Sequence, residues 1–218
     1  MTSSLLSPSE GRVLGVLIEK QRTVPDAYPL TLNALVAGCN QKSSREPVMT
    51  LSENHVQQAL DGLRDRALVI ETSGGRVMRH AHNAERALGL PSQSVALLAV
   101  LLLRGPQTVG ELRINCDRMH RFADTSAVEA FLHELAERAA GALVAELPRT
   151  PGTRETRWIQ LLTPAPETAV PRAIPAMERE DGSPPPEVAS LREEVASLRE
   201  EVASLREEVA ALREARSG

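Results

Sequence analysis

Apolar residues recur at helical spacing in a series of short segments. Val13, Leu14, Leu17 and Ile18 share one helical face. That helix opens at Ser7-Pro8-Ser9-Glu10, a capping box with proline at the first helical position. A second helix is predicted to begin near Thr31. A third begins at Thr50-x-x-Glu53 and presents Val56, Leu60 and Leu63. The pattern then shortens to that of strands: Leu68–Thr72, a turn at Ser73-Gly74-Gly75, and Arg76–Ala81.

The same order returns once. Arg12–Lys20 aligns with Ala96–Arg104, Thr31–Leu35 with Thr108–Leu112, Val56–Leu63 with Val128–Leu135, and Leu68-Val69 with Leu143-Val144. In the second copy, capping boxes at Thr108-x-x-Glu111 and Ser126-x-x-Glu129 start the second and third helices. Val128, Leu132 and Leu135 form the apolar face, and the strands are Leu143–Leu147 and Thr156–Leu162 around Pro148–Gly152. Cys39 and Cys116 fall at equivalent places, as small buried residues would. Three short helices and a hairpin form the winged-helix plan, in which the third helix would enter a major groove. A generic small α+β domain is the alternative, disfavoured by the duplication. The uninterrupted run Val95–Leu103 exceeds one helical face, so that helix is expected to be buried on several sides, between the units or against a partner.

The last quarter has a different texture. Seven prolines lie within residues 164–187, a spacing that neither helix nor central strand survives, so an extended linker is predicted. Residues 188–215 then repeat VASLREE. Val188, Val195, Val202 and Val209 take heptad position a, and Leu191, Leu198, Leu205 and Leu212 take d. Glu at g (Glu194, Glu201, Glu208) faces Arg at e (Arg199, Arg206, Arg213) only in a parallel pair, so a parallel homodimer is predicted. The expected organisation is mainly helical with small hairpins: winged-helix domains over 1–88 and 89–163, a linker over 164–187 and a coiled-coil helix over 188–215.

Composition narrows the function. Aromatics are 2% of the chain (Tyr28, Phe122, Phe131, Trp158), which argues against a single-strand nucleic-acid binder that stacks bases. Two cysteines cannot build a disulfide framework or a zinc site of usual spacing. The opening MTSSLLSPSE lacks a basic-then-apolar segment, and the longest apolar run is far short of the ~18 residues of a membrane span. A soluble cytoplasmic protein is therefore expected, without membrane partners. The net charge of −4 resides in the tail: residues 1–88 sum to +1, 89–165 to 0 and 166–218 to −5.

Walker, GxGxxG, GxSxG and HExxH motifs are missing from the sequence, His80-x-His82 has no acidic or Cys companion close by, and neither cysteine has an evident base. No enzyme, cofactor or metal is expected. Basic residues do collect where a winged helix meets DNA. Gln41, Lys42, Ser43 and Arg45 precede the first third helix. Arg76 and Arg79, with His80 and His82, mark the first wing; Arg113 and Arg118, with His120 and Arg121, mark the second unit's helix 2 and its exit; Arg149, Arg154 and Arg157 mark the second wing. Both third helices are acidic. DNA binding, with a transcription-regulatory role, is the leading reading, and a protein-interaction adaptor on the same scaffold is the alternative.

Several stretches carry a resemblance. Leu6-Ser7-Pro8…Glu10…Arg12-Val13-Leu14-Gly15…Glu19-Lys20, Pro25-Asp26…Tyr28-Pro29-Leu30…Leu32-Asn33-Ala34-Leu35 and Cys39-Asn40-Gln41-Lys42-Ser43…Arg45-Glu46-Pro47-Val48-Met49 lie in the first unit. Leu102-Leu103-Arg104-Gly105-Pro106-Gln107-Thr108…Gly110-Glu111-Leu112-Arg113 and Pro148-Arg149…Pro151-Gly152…Arg154-Glu155…Arg157 lie in the second. Over residues 5–162 the chain resembles the YceH-like bacterial proteins, a family of unknown function. The resemblance implies a tandem winged-helix structure and supplies no activity. Ile114-Asn115-Cys116 departs from it, where a more basic or polar stretch would be expected.

Overall fold

A computed structural model describes residues 5–73, 77–149 and 155–164. The predicted linker beyond Pro164, the predicted coil, Gly74–Arg76 and residues 150–154 lie outside the described residues. The chain is mainly helical with two small antiparallel hairpins. The first repeat comprises α1 (Pro8–Thr23), a 3-10 turn (Pro25–Ala27), α2 (Leu32–Cys39), α3 (Glu53–Asp65), β1 (Val69–Ser73) and β2 (Met78–His82). A short α4 (Ala84–Leu88) joins it to α5 (Ser92–Arg104), α6 (Val109–Cys116), α7 (Thr125–Ala136), β3 (Val144–Leu147) and β4 (Arg157–Gln160). The twofold order read from the pattern is present. Helix α4 was not foreseen; it ends at Gly89, whose φ of +62° puts it in the left-handed region that glycine adopts without a Cβ clash.

Caps explain the helix starts. Ser7 accepts from the Glu10 N–H at 3.2 Å, and the Glu10 carboxylate accepts from the Ser7 N–H at 2.6 Å. Thr108 and Glu111 make the same reciprocal pair, and Thr31 caps α2. Both third helices begin elsewhere than expected. Helix α3 is capped by Ser52, with His55 closing the box in place of Glu53. The cause is Asn40, whose side-chain amide accepts from the Leu51 N–H at 2.7 Å and donates to its carbonyl at 2.8 Å. Held this way, Leu51 stays outside the helix, and the start shifts past Thr50. Helix α7 is capped by Asp124, which reaches the Ala127 N–H at 2.9 Å; as a capping residue as good as Ser, it stops the chain two residues before Ser126.

Each hairpin gains a third edge. Leu30 and His80 exchange backbone hydrogen bonds of 3.0 and 2.8 Å, and Gln107 and Trp158 do the same at 3.1 and 2.7 Å. Both bridges sit one residue before the cap of the second helix in their repeat. The registers run from Val69 opposite His82 to Ser73 opposite Met78, and from Val144 opposite Gln160 to Leu147 opposite Arg157.

Helix α5 resolves the question raised by its uninterrupted apolar run. Val95, Ala99, Leu102 and Leu103 belong to the first repeat's core, with Leu14, Leu17, Leu35, Leu60 and Leu63. Ala96, Leu97, Leu98, Val100 and Leu101 belong to the second, with Leu112, Leu132, Leu135 and Trp158. One helix thus lies between two cores, and all described residues fall within one compact unit. Helices α1 and α5 approach closely at Gly15, where a Cβ would meet Leu103 Cγ at 2.9 Å. Gly15→Ala is therefore expected to cost about 1–3 kcal/mol by overpacking. An unchanged chemical-denaturation midpoint would contradict that close approach.

Candidate anion-binding cleft

The site begins with two buried arginines. Arg12 is 1% exposed and Arg45 4%. Arg12 donates to the carbonyls of Cys39 (3.1 Å) and Pro47 (2.6 Å). Arg45 lies against Glu19 in a two-pronged pair of 3.1 and 2.7 Å, and also reaches the Gly38 and Ser44 carbonyls and Gln41 Oε1. Together they tie down the loop between α2 and α3 by its backbone. Burial, then the neighbouring Arg45, lowers the pKa of Arg12. Burial alone would raise the Glu19 carboxyl, but the hydrogen bonds and charge of Arg45, aided by Lys20, hold it below the usual carboxylate range.

The loop so held forms one wall of a cleft of about 540 Å³ between the repeats. Lys20 from the last turn of α1, Lys42 from the loop, Arg104 from the end of α5 and Arg118 from the exit of α6 all line it. Arg104 donates to Ser44 Oγ at 2.7 Å, joining the two walls. The single lining acid is Glu19, already committed to Arg45 and, at 3.3 Å, to Lys20. Among the described residues, Lys42 and Arg118 have neither an ion pair nor a side-chain hydrogen bond. Four cations against one committed carboxylate leave the cleft with an excess of positive charge.

The predicted contact residues divide. Gln41, Lys42, Ser43 and Arg118, drawn from different repeats, come together here. Arg45 does not reach the surface: its buried guanidinium builds the loop, so it is corrected from a phosphate contact to a structural residue. Arg79 and Arg157 occupy equivalent places, donating to the Pro29 carbonyl at 2.7 Å and the Pro106 carbonyl at 2.9 Å, where they buttress the edge bridges. Arg157 also pairs with Glu111. Arg45 and Arg79 thus spend their guanidinium groups on backbone carbonyls, and of the first repeat's described basic candidates only Lys42 lines the cleft. Arg113 and Arg149 are exposed, outside the cleft lining. Arg76 and Arg154 lie outside the described residues, as do the predicted dimer positions Val188, Leu191, Val195, Leu198, Val202, Leu205, Val209 and Leu212.

Lys20 and Arg104 were missed. Each ends the first helix of its repeat, and the internal alignment already paired them; their convergence depends on α1 lying against α5. His80 and His82 serve the interior. Burial lowers both, His82 to about 4, where it stays neutral beside Gln21 Oε1 at 2.7 Å. Cys39 and Cys116 are fully buried, and burial pushes both thiols up to about 12, leaving them unreactive.

A family profile described as "Protein of unknown function, DUF480" matches residues 6–153, a span holding every residue of the cleft. A UPF0502 protein of Dechloromonas aromatica (strain RCB) is 63% identical over 161 residues, 74% of this chain and 76% of the relative. Another, of Paracidovorax citrulli (strain AAC00-1), is 64% identical over 160 residues, covering 72% and 69%. A third, of Cupriavidus taiwanensis, is 57% identical over 188 residues, covering 86% and 77%. The helices, the loop-building arginines and the cleft thus all fall within the matched region, and the chain belongs to this DUF480 family of bacterial proteins, the group its YceH-like motifs resemble.

Proposed function

We propose that this is a non-enzymatic, tandem winged-helix protein that binds double-stranded DNA chiefly through the phosphate backbone, at the surface where the two repeats meet. The observation that carries the reading is the gathering of Lys20, Lys42, Arg104 and Arg118 around one cleft whose single acid is already paired. The short strand edge before the second helix of each repeat, contributed by Leu30 and Gln107, supports the winged-helix assignment. Phosphate contacts supply affinity without base reading, which suits a chain whose third helices are acidic: Glu53, Asp61 and Asp65 on α3, Glu129 and Glu134 on α7. The C-terminal heptads would pair two copies in parallel, giving four repeats per particle and an avidity gain on long DNA.

Binding of random duplex DNA across a salt series tests this. The unmodified chain should bind at low salt, and Lys42→Ala with Arg118→Ala should weaken every sequence alike while flattening the salt slope by about two. Negligible affinity even at low salt would remove the reading. It would favour the second one, an adaptor that docks a basic protein partner on the acidic α3 and α7 faces.

A further inference from the structure

The interior of the cleft has features that a duplex passing over its rim would not use. The cations reach it from four different segments, two from each repeat: Lys20 in the last turn of α1 and Lys42 after Cys39, Arg104 at the end of α5 and Arg118 after Cys116. Its volume of about 540 Å³ lies within the ~300–1,000 Å³ of ordinary small-ligand sites. A rigid double helix would meet the exposed Lys42 and Arg118 more readily than the half-buried Lys20 and Arg104. Val24, 41% exposed, and Met119 add an apolar patch to the same lining.

We propose that the cleft binds a compact polyphosphate ester, a nucleoside di- or triphosphate, its phosphates among Lys20, Lys42, Arg104 and Arg118 and its base against Val24 and Met119. The proposal rests on the same cleft as the DNA reading and gives it a competitor. Three or four negative charges match the excess of cations. The walls are already in place, because the Arg104–Ser44 bond and the Arg45 ties fix the loop before any ligand arrives. Little ordering cost remains on binding. Lys42 and Arg118 carry no competing ion pair among the described residues, so the ligand breaks none to engage them.

Isothermal titration of the full chain with ATP at low salt tests this. ATP should bind, AMP at least tenfold more weakly, and Lys42→Ala with Arg118→Ala should weaken ATP binding at least tenfold without shifting the thermal midpoint. Arg86→Ala, exposed on α4, is the control that should bind ATP unchanged. No heat with ATP, equal affinity for AMP, or undiminished binding in the double variant would overturn the proposal. A labelled random duplex separates the two readings. If the duplex binds through Lys42 and Arg118 while ATP does not bind, the nucleotide proposal falls and the DNA reading stands; if ATP binds and the duplex does not, the reverse holds. ATP displacing bound duplex supports both.

Discussion

Glu19→Gln is expected to destabilise the fold by about 3–5 kcal/mol, the usual consequence of removing one partner from a buried ion pair. Arg45 is completely enclosed, its side chain 0% exposed, and Glu19 is 17% exposed. The glutamine keeps the shape and removes the charge, leaving the Arg45 guanidinium buried without a counter-ion and beside a second buried cation, Arg12. For a folded body of this size the loss corresponds to a fall of about 10 °C in the thermal midpoint. The pH dependence has a definite sign. Glu19 titrates below its ordinary value of 4.5 in the folded protein, so its contribution is present above that value and disappears as pH falls through the lower folded one. The variant should lack this part of the acid-side decline. An unfolding free energy from urea denaturation within about 1 kcal/mol of the unmodified chain would mean that the pair does not hold the loop.

Leu60→Ala should cost about 2–5 kcal/mol, because Leu60 is 1% exposed and packs in the first core with Leu14 and Leu17. Its effect is expected to travel. Trp158, the chain's one tryptophan, sits in the second core, and α5 contributes to both. Destabilising the first repeat therefore strips one side of a helix on which the second repeat is built. Fluorescence of Trp158 and far-ultraviolet dichroism should shift together, to the same midpoint. A Trp158 transition left in place while the dichroism splits into two steps would show that the repeats unfold independently.

What was legible in the chain was what neighbouring residues decide. The caps at Ser7, Thr31 and Thr108 lie within three residues of the groups they satisfy, and the core faces of α1, α3 and α7 follow from helical spacing. The starts of α3 and α7 were misplaced for different reasons. Asn40 fixes Leu51 from eleven positions away, while Asp124 and the Ser126-x-x-Glu129 pattern are rival caps two residues apart, and only the fold shows which one is used. The bridging edges at Leu30 and Gln107 are single residue pairs and have no periodicity to read. The buried arginines are the deeper failure. Charged side chains in a polar loop read as surface, and only the tertiary fold shows that Arg45 has Glu19 and three carbonyl or amide oxygens waiting inside. Half of the cleft was visible as Lys42 and Arg118; the other half, Lys20 and Arg104, looked like ordinary cations at helix C-termini, where the dipole favours them.

The packing of α1 on α5 places the first helix of one repeat against the first helix of the other. In a dimer built on a twofold axis, each subunit offers the same element to its twin, and here both offers come from one polypeptide. A chain holding a single repeat could cover that apolar helix only by recruiting another copy, and its fold would depend on protein concentration. Tandem duplication makes the partner permanent and frees the two halves to diverge. One can keep a tyrosine and two histidines behind its hairpin while the other installs a tryptophan, provided the shared seam is preserved.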